Sequence, residues 1–157
     1  MSKVTPWLWF DTEGEEAAEL YTSVFPNSKI VEVTRYGSAG PRPEGTAMTV
    51  TFELDGQRVV ALNGGPDFKH SEAFSFTIDC DDQAEVDHYW EKLGEGGEHG
   101  PCGWLKDRFG LSWQVVPKRL PELLSDPDRE KAQRVMAAML KMRKLDVAEL
   151  EQAASSA

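Results

Sequence analysis

The chain has 157 residues, 17 Lys and Arg against 27 Asp and Glu, a formal net charge of −10, and 40% hydrophobic residues including five Trp and seven Phe. That suits one domain, or two small modules sharing a core, and argues against disorder. Phosphate neutralisation needs clustered Lys and Arg, which this chain lacks, so nucleic acid is excluded as an expected partner.

Cys80 and Cys102 do not form a C-x-x-C metal spacing. No apolar run approaches membrane-spanning length, and the first residues lack the charged-then-apolar pattern of a signal peptide. The expectation is a cytoplasmic protein with reduced thiols and no membrane contact.

In chain order, residues 5–10 read as a strand rich in Trp and Phe. Thr12, with Glu15 three residues on, predicts a capping box for a helix whose face is Ala17, Leu20, Tyr21 and Val24. Pro26-Asn27 ends that helix, and a strand over 30–36 leads to a Gly/Pro-rich loop over 37–45. Strands over 47–54 and 57–63 flank Asp55-Gly56, a two-residue hairpin signature.

The order then repeats. Residues 73–79 read as a strand, and Asp82 with Glu85 caps a helix facing inward through Val86, Tyr89, Trp90 and Leu93. Residues 94–100 hold at most a poor short strand. The segment 101–117 reads as two strands joined by a tight turn from Asp107 to Gly110. Beyond Pro117 the pattern turns helical: Asp126-Pro127 predicts a cap, Ala132, Val135, Met136 and Met139 share a face, and Asp146 with Glu149 opens a last helix. The fold class is therefore α+β, with two βαβββ modules and C-terminal helices.

Strand parity sorts side chains by face. Met48, Val50, Phe52 and Leu54 oppose Thr49, Thr51 and Glu53; Phe74, Phe76 and Ile78 oppose Ser75 and Thr77; Trp113 and Val115 oppose Ser112 and Gln114. The apolar faces are expected to meet the helices, and the others to line a partly polar cavity if the sheets curl. By analogy between the repeats, Trp7 and Trp9 are placed inward, with Val59, Ala61 and Asn63 inward on the following strand and Val60 and Leu62 outward. Two exposed tryptophans would be costly, which points to a cavity or a subunit interface.

Several segments together carry a family resemblance: Pro6-Trp7-Leu8-Trp9-Phe10, residues 18–25, Leu62-Asn63-Gly64-Gly65-Pro66, residues 102–117 and residues 138–150. With the paired βαβββ order, the chain resembles the vicinal oxygen chelate superfamily of glyoxalases, extradiol dioxygenases and bleomycin-resistance proteins. Within it the chain is most similar to the PhnB-like group, also labelled 3-demethylubiquinone-9 3-methyltransferase-like. The resemblance implies curled mixed sheets, a cup-shaped pocket in each, and a homodimer. It divides the chain into a glyoxalase-like domain over 1–117, with modules of about 1–66 and 67–117, and a helical extension over 118–157 packing on the domain or on the dimer partner.

Metal-using members of the superfamily place one His, Glu or Gln on each of four strands. The matching positions here are Thr5, Ala61 or Asn63, Ser75 and Gln114. Hydroxyls and amides hold zinc, nickel or iron poorly, and His70, His88 and His99 are read as lying on a loop, a helix and a loop. No metal and no cofactor is expected. The methyltransferase label finds no glycine-rich strand-to-helix turn in this sequence.

The leading expectation is a metal-free protein that binds a small molecule through Trp7, Trp9, Thr51, Asn63, Ser75, Trp104 and Gln114. The alternative is a lyase, isomerase or group-transfer enzyme. Its candidate general base is Glu53, and Cys102 near His99 is its candidate thiol nucleophile. A third expectation gives the C-terminal helices a partner-binding role.

Overall fold

The computed structural model describes residues 2–156 and divides into two compact units, residues 1–70 and 71–157. No helix among the described residues is long and apolar enough to cross a membrane.

The first unit contains β1 (Trp7–Phe10), α1 (Gly14–Val24), β2 (Lys29–Arg35), β3 (Ala47–Leu54) and β4 (Gln57–Asn63). Its sheet order is β1-β4-β3-β2, with β1 parallel to β4 and the other neighbours antiparallel. The β3–β4 hairpin turns through Asp55 and Gly56, both at positive φ, as a two-residue loop of this twist requires. Val50 and Phe52 pair with Ala61 and Val59, while Leu8 lies beside Ala61 and Phe10 beside Asn63. All are buried on one face, which α1 covers with Ala17, Ala18 and Tyr21.

That register corrects the inward assignment on β4. Val59, Ala61 and Asn63 belong to the helix-covered face, and Val60 and Leu62 share the other face with Trp7, Trp9, Thr49 and Thr51. Four successive apolar residues, Val59 to Leu62, give alternation nothing to distinguish.

The predicted capping box of α1 does not form. The cap residue is Glu13, and its side chain makes no capping bond. Instead the Gly14 N–H donates to Asn63 Oδ1 (2.7 Å), an acceptor 49 residues away. The Asn63 amide donates to Ala47 O (3.1 Å), and the Tyr36 hydroxyl donates to the Asn63 carbonyl (2.5 Å). A Cβ on Gly14 would overlap Asn63 Oδ1, so glycine is what permits this cap.

The second unit repeats the topology with β5 (Ser75–Cys80), α2 (Gln83–Gly94), β6 (Glu98–His99), β7 (Trp104–Lys106) and β8 (Ser112–Pro117), in the order β5-β8-β7-β6. Here the α2 cap forms as expected: Asp82 accepts from Glu85 N (3.0 Å), and Glu85 reaches back to Asp81 N (2.8 Å). His99 lies on β6 rather than in a loop, its ring stacked on Trp90 at 4.5 Å. Two residues are too short a strand for periodicity to reveal.

Three helices follow: α3 (Arg119–Leu124), α4 (Arg129–Met139) and α5 (Val147–Ser155). Asp146 caps α5 as expected, but α4 is capped by Asp128, two residues beyond the predicted Asp126. Asp126 instead accepts from Asp128 N (2.8 Å). Leu120, Leu123, Val135, Met142, Leu145 and Leu150 form a buried cluster against which Val116 of β8 packs. Gln83 ties this tail to α2, donating to Leu145 O (3.0 Å) and accepting from Val147 N (2.7 Å).

Replacing Asn63 by Ala strands the Gly14 donor and the Ala47 acceptor. Urea denaturation is expected to show a loss of about 1–3 kcal/mol. A loss below about 0.5 kcal/mol would contradict the capping role.

Candidate functional site

In the second unit the polar face forms as parity predicted. Ser75 pairs with Ser112 and Thr77 with Gln114 across β5 and β8, and Trp104 pairs with Gln114 and Lys106 with Ser112 across β7 and β8. These six residues therefore share one face. Phe76, Ile78, Leu105, Trp113 and Val115 take the other, where α2 packs.

The register rests on the β7–β8 turn. Asp107, 2% exposed, accepts from the N–H groups of Phe109 (2.9 Å) and Leu111 (3.1 Å) through one oxygen, and from Trp113 Nε1 (2.9 Å) through the other. Gly110, at φ +87°, closes the turn by donating to the Asp107 carbonyl. Three donors offset the cost of burying a carboxylate.

On the polar face the Gln114 amide donates to Ser75 Oγ (3.0 Å). A cavity of about 570 Å³ in the same unit is bordered by Trp104, Lys106 and Ser112 of this face and by Pro101, His99 and Arg143 among others. Lys106 forms an ion pair with Glu72, which holds the Glu72 carboxyl below its usual range and the Lys106 ammonium above. Ser112 is fully buried, and its hydroxyl has no hydrogen-bond partner among the described residues. Lys106, Ser112 and Arg143 were not singled out from sequence as site residues. Parity already put Ser112 on this face, and pairing along β7 extends the argument to Lys106, but nothing local marks Arg143.

In the first unit Trp7, Trp9 and Thr51 share a face. Trp7 is 57% exposed. Trp9 is fixed: its Nε1 donates to Gly65 O (2.8 Å), Phe68 meets its ring edge-on at 4.8 Å, and any side chain on Gly64 would collide with the indole. Asn63 lies on the opposite face, in its capping role. Glu53 pairs with Arg58 at 3.7 Å across the hairpin and borders a separate cavity of about 400 Å³ with Thr5.

The four positions that the resemblance assigns to superfamily metal ligands do not offer a suitable donor set. Ala61 has no donor, Asn63 faces α1, and Ser75 and Gln114 bond each other. Among the described residues, no group of three or more His, Cys, Asp or Glu side chains is placed to hold a metal ion. Neutral oxygen donors alone suit zinc, nickel or iron poorly, so these residues do not fit the metal centre.

Two sheets of order β1-β4-β3-β2 and β5-β8-β7-β6, each carrying a helix, define the vicinal oxygen chelate class. Residues 2–116 match the 3-demethylubiquinone-9 3-methyltransferase family, and the chain belongs to that family, the PhnB-like group of the superfamily. A putative 3-demethylubiquinone-9 3-methyltransferase, the PhnB protein of Bacillus cereus, is 34% identical over 74% of this chain and 99% of its own, with a TM-score of 0.67. A Pseudomonas aeruginosa protein shares the fold at 20% identity, covering 75% of this chain and 98% of its own, with a TM-score of 0.63. The fosfomycin resistance protein FosX of Listeria monocytogenes shares it at 16% identity, over 80% of this chain and 98% of its own, with a TM-score of 0.55. FosX has also been crystallised with Mn(II) and sulfate. No curated protein matches.

The two thiols differ sharply. Burial pushes the Cys80 thiol up to about 12, with Glu85 adding to the effect, whereas Cys102 is half-buried with its thiol directed to Met139 O. Iodoacetamide at pH 8 is expected to label Cys102 well before Cys80, read by peptide mass spectrometry. Because the folded Cys80 thiol is raised, its contribution to stability is intact below pH 9 and declines as pH rises towards 12. Labelling of Cys80 first would contradict its burial.

Proposed function

We propose that this chain binds a small organic molecule on the polar face of its second unit, without a catalytic metal. The observation that carries the reading is the bond between Gln114 and Ser75. At two positions that the superfamily resemblance assigns to metal ligands, this protein has side chains suited to hydrogen bonding and engaged with each other. Trp104 supplies a flat apolar wall beside them, and a cavity of about 570 Å³ falls in the range of small-molecule sites.

A homodimer and a cytoplasmic location belong to the same reading. Trp7 and Phe68, 57% and 64% exposed, supply apolar surface of the kind that a second copy covers. Two unpaired thiols suit a reducing compartment.

Catalysis is the second reading, prompted by Glu53. Its ion pair with Arg58 at a hairpin end is a surface arrangement, and nothing groups it with Trp7 or Trp9 in one cavity. Methyl transfer, as in the family's name, draws no support from Asn63-Gly64-Gly65-Pro66. That segment anchors β1 through Gly64 N to Phe10 O (2.9 Å) and opens no helix.

The test is a ligand screen followed by tryptophan fluorescence. For any molecule bound by the parent, Gln114→Ala and Trp104→Ala are expected to weaken binding by about tenfold each, the scale of one lost hydrogen bond to a charged group or one lost aromatic contact. Unchanged affinity in both variants would overturn the site assignment.

A further inference from the structure

We propose that the cavity of the second unit takes a flat monocarboxylate, and that the C-terminal extension selects its charge through Arg143. This rests on the pocket reading above and specifies its ligand.

A fully buried hydroxyl is costly unless it is hydrogen-bonded, and Ser112, one of the residues lining the cavity, has a buried hydroxyl with no partner among the described residues. A ligand oxygen would satisfy it once the lining side chains move aside to admit one. Trp104 and Pro101 add apolar walls that suit a planar body.

The two cations at the cavity differ in what occupies them. Lys106 is tied to Glu72, and Glu98 adds to the field on the same ammonium. Arg143 makes one hydrogen bond, from Nη1 to the backbone carbonyl of His99 (2.6 Å), and no ion pair among the described residues. A guanidinium has five N–H donors in a planar fork, so most of this one remains for a carboxylate, which it matches in geometry. Glu72 and Glu98, which also line the cavity, oppose a second negative charge, which favours a monoanion over a phosphate monoester.

Arg143 is held by the tail itself. Gly103 N donates to Arg143 O (2.8 Å) and Cys102 N to Met142 O (2.9 Å), which fixes this loop against the start of β7. The family match covers residues 2–116, so Arg143 lies in the extension that follows the matched segment. Charge preference on this account belongs to the extension, and the pocket floor to the family domain.

The experiment titrates 2-naphthoate, 2-naphthol and 2-naphthylmethylammonium into the full chain at low salt. It uses the parent, Arg143→Gln, Arg143→Lys and Ser112→Ala, read by tryptophan quenching and by backbone NMR shifts, with unfolding midpoints confirming that each variant is folded. The expected result is naphthoate bound about tenfold more tightly than naphthol, a preference abolished by Arg143→Gln and partly kept by Arg143→Lys. Ser112→Ala is expected to weaken naphthoate about fivefold. Equal affinity for naphthoate and naphthol, or a preference that survives Arg143→Gln, overturns the proposal. Naphthol or the ammonium binding best with shifts at Ser75 and Gln114 overturns it while the pocket reading stands. No shift at Trp104, Ser112 or Gln114 with any probe overturns both.

Discussion

The buried carboxylate of Asp107 sets the terms for the second unit. It gathers two backbone N–H groups of its own turn and the indole N–H of Trp113, and so locks how β7 folds back on β8. A slip of one residue would exchange the faces of every side chain on those strands. Ser112 and Gln114 would then meet α2, and Trp113 would enter the pocket. The chemistry of the polar face is thus a consequence of register, and register of one satisfied buried acid.

Asn63 has a parallel position in the first unit. It joins the end of β4 to the start of α1 and to the start of β3, and its backbone carbonyl receives the Tyr36 hydroxyl. The two units share strand order and helix placement, yet place different residues at their structural joints. Their open faces diverge further: tryptophans and threonines in the first, a serine–glutamine pair with a lysine and a buried hydroxyl in the second. One topology therefore presents two chemically distinct surfaces, which is how function comes to reside in the site rather than in the fold.

Much of the fold was legible because local chemistry was unambiguous. Asp55-Gly56 specified its turn, Asp82 and Asp146 specified their helix starts, and β3 and β8 alternate polar with apolar residues, so parity could be read from them. The misreadings have physical causes. Along Val59 to Leu62 both faces are apolar, and only the pairing with β3 decides between them. Thr12 and Glu15 have the spacing of a capping box, but the helix starts after Glu13, and the Gly14 N–H is taken by a tertiary acceptor, Asn63. Arg143 enters the pocket wall from a loop whose position depends on the packing of Leu145 and Met142, and no local motif encodes that.

Gln114 and Ser75, at positions that the superfamily resemblance assigns to metal ligands, hydrogen-bond to each other, and the proposed reading is that they hold no metal. The most direct test is calorimetric titration of Mn(II), Zn(II), Ni(II) and Fe(II), the last under anaerobic conditions, into the exhaustively dialysed full chain, with NMR following the Gln114 side-chain amide. The expected result is no stoichiometric binding tighter than about 100 μM and an undisturbed Gln114 resonance. One tightly bound metal per chain that shifts Gln114 would contradict it.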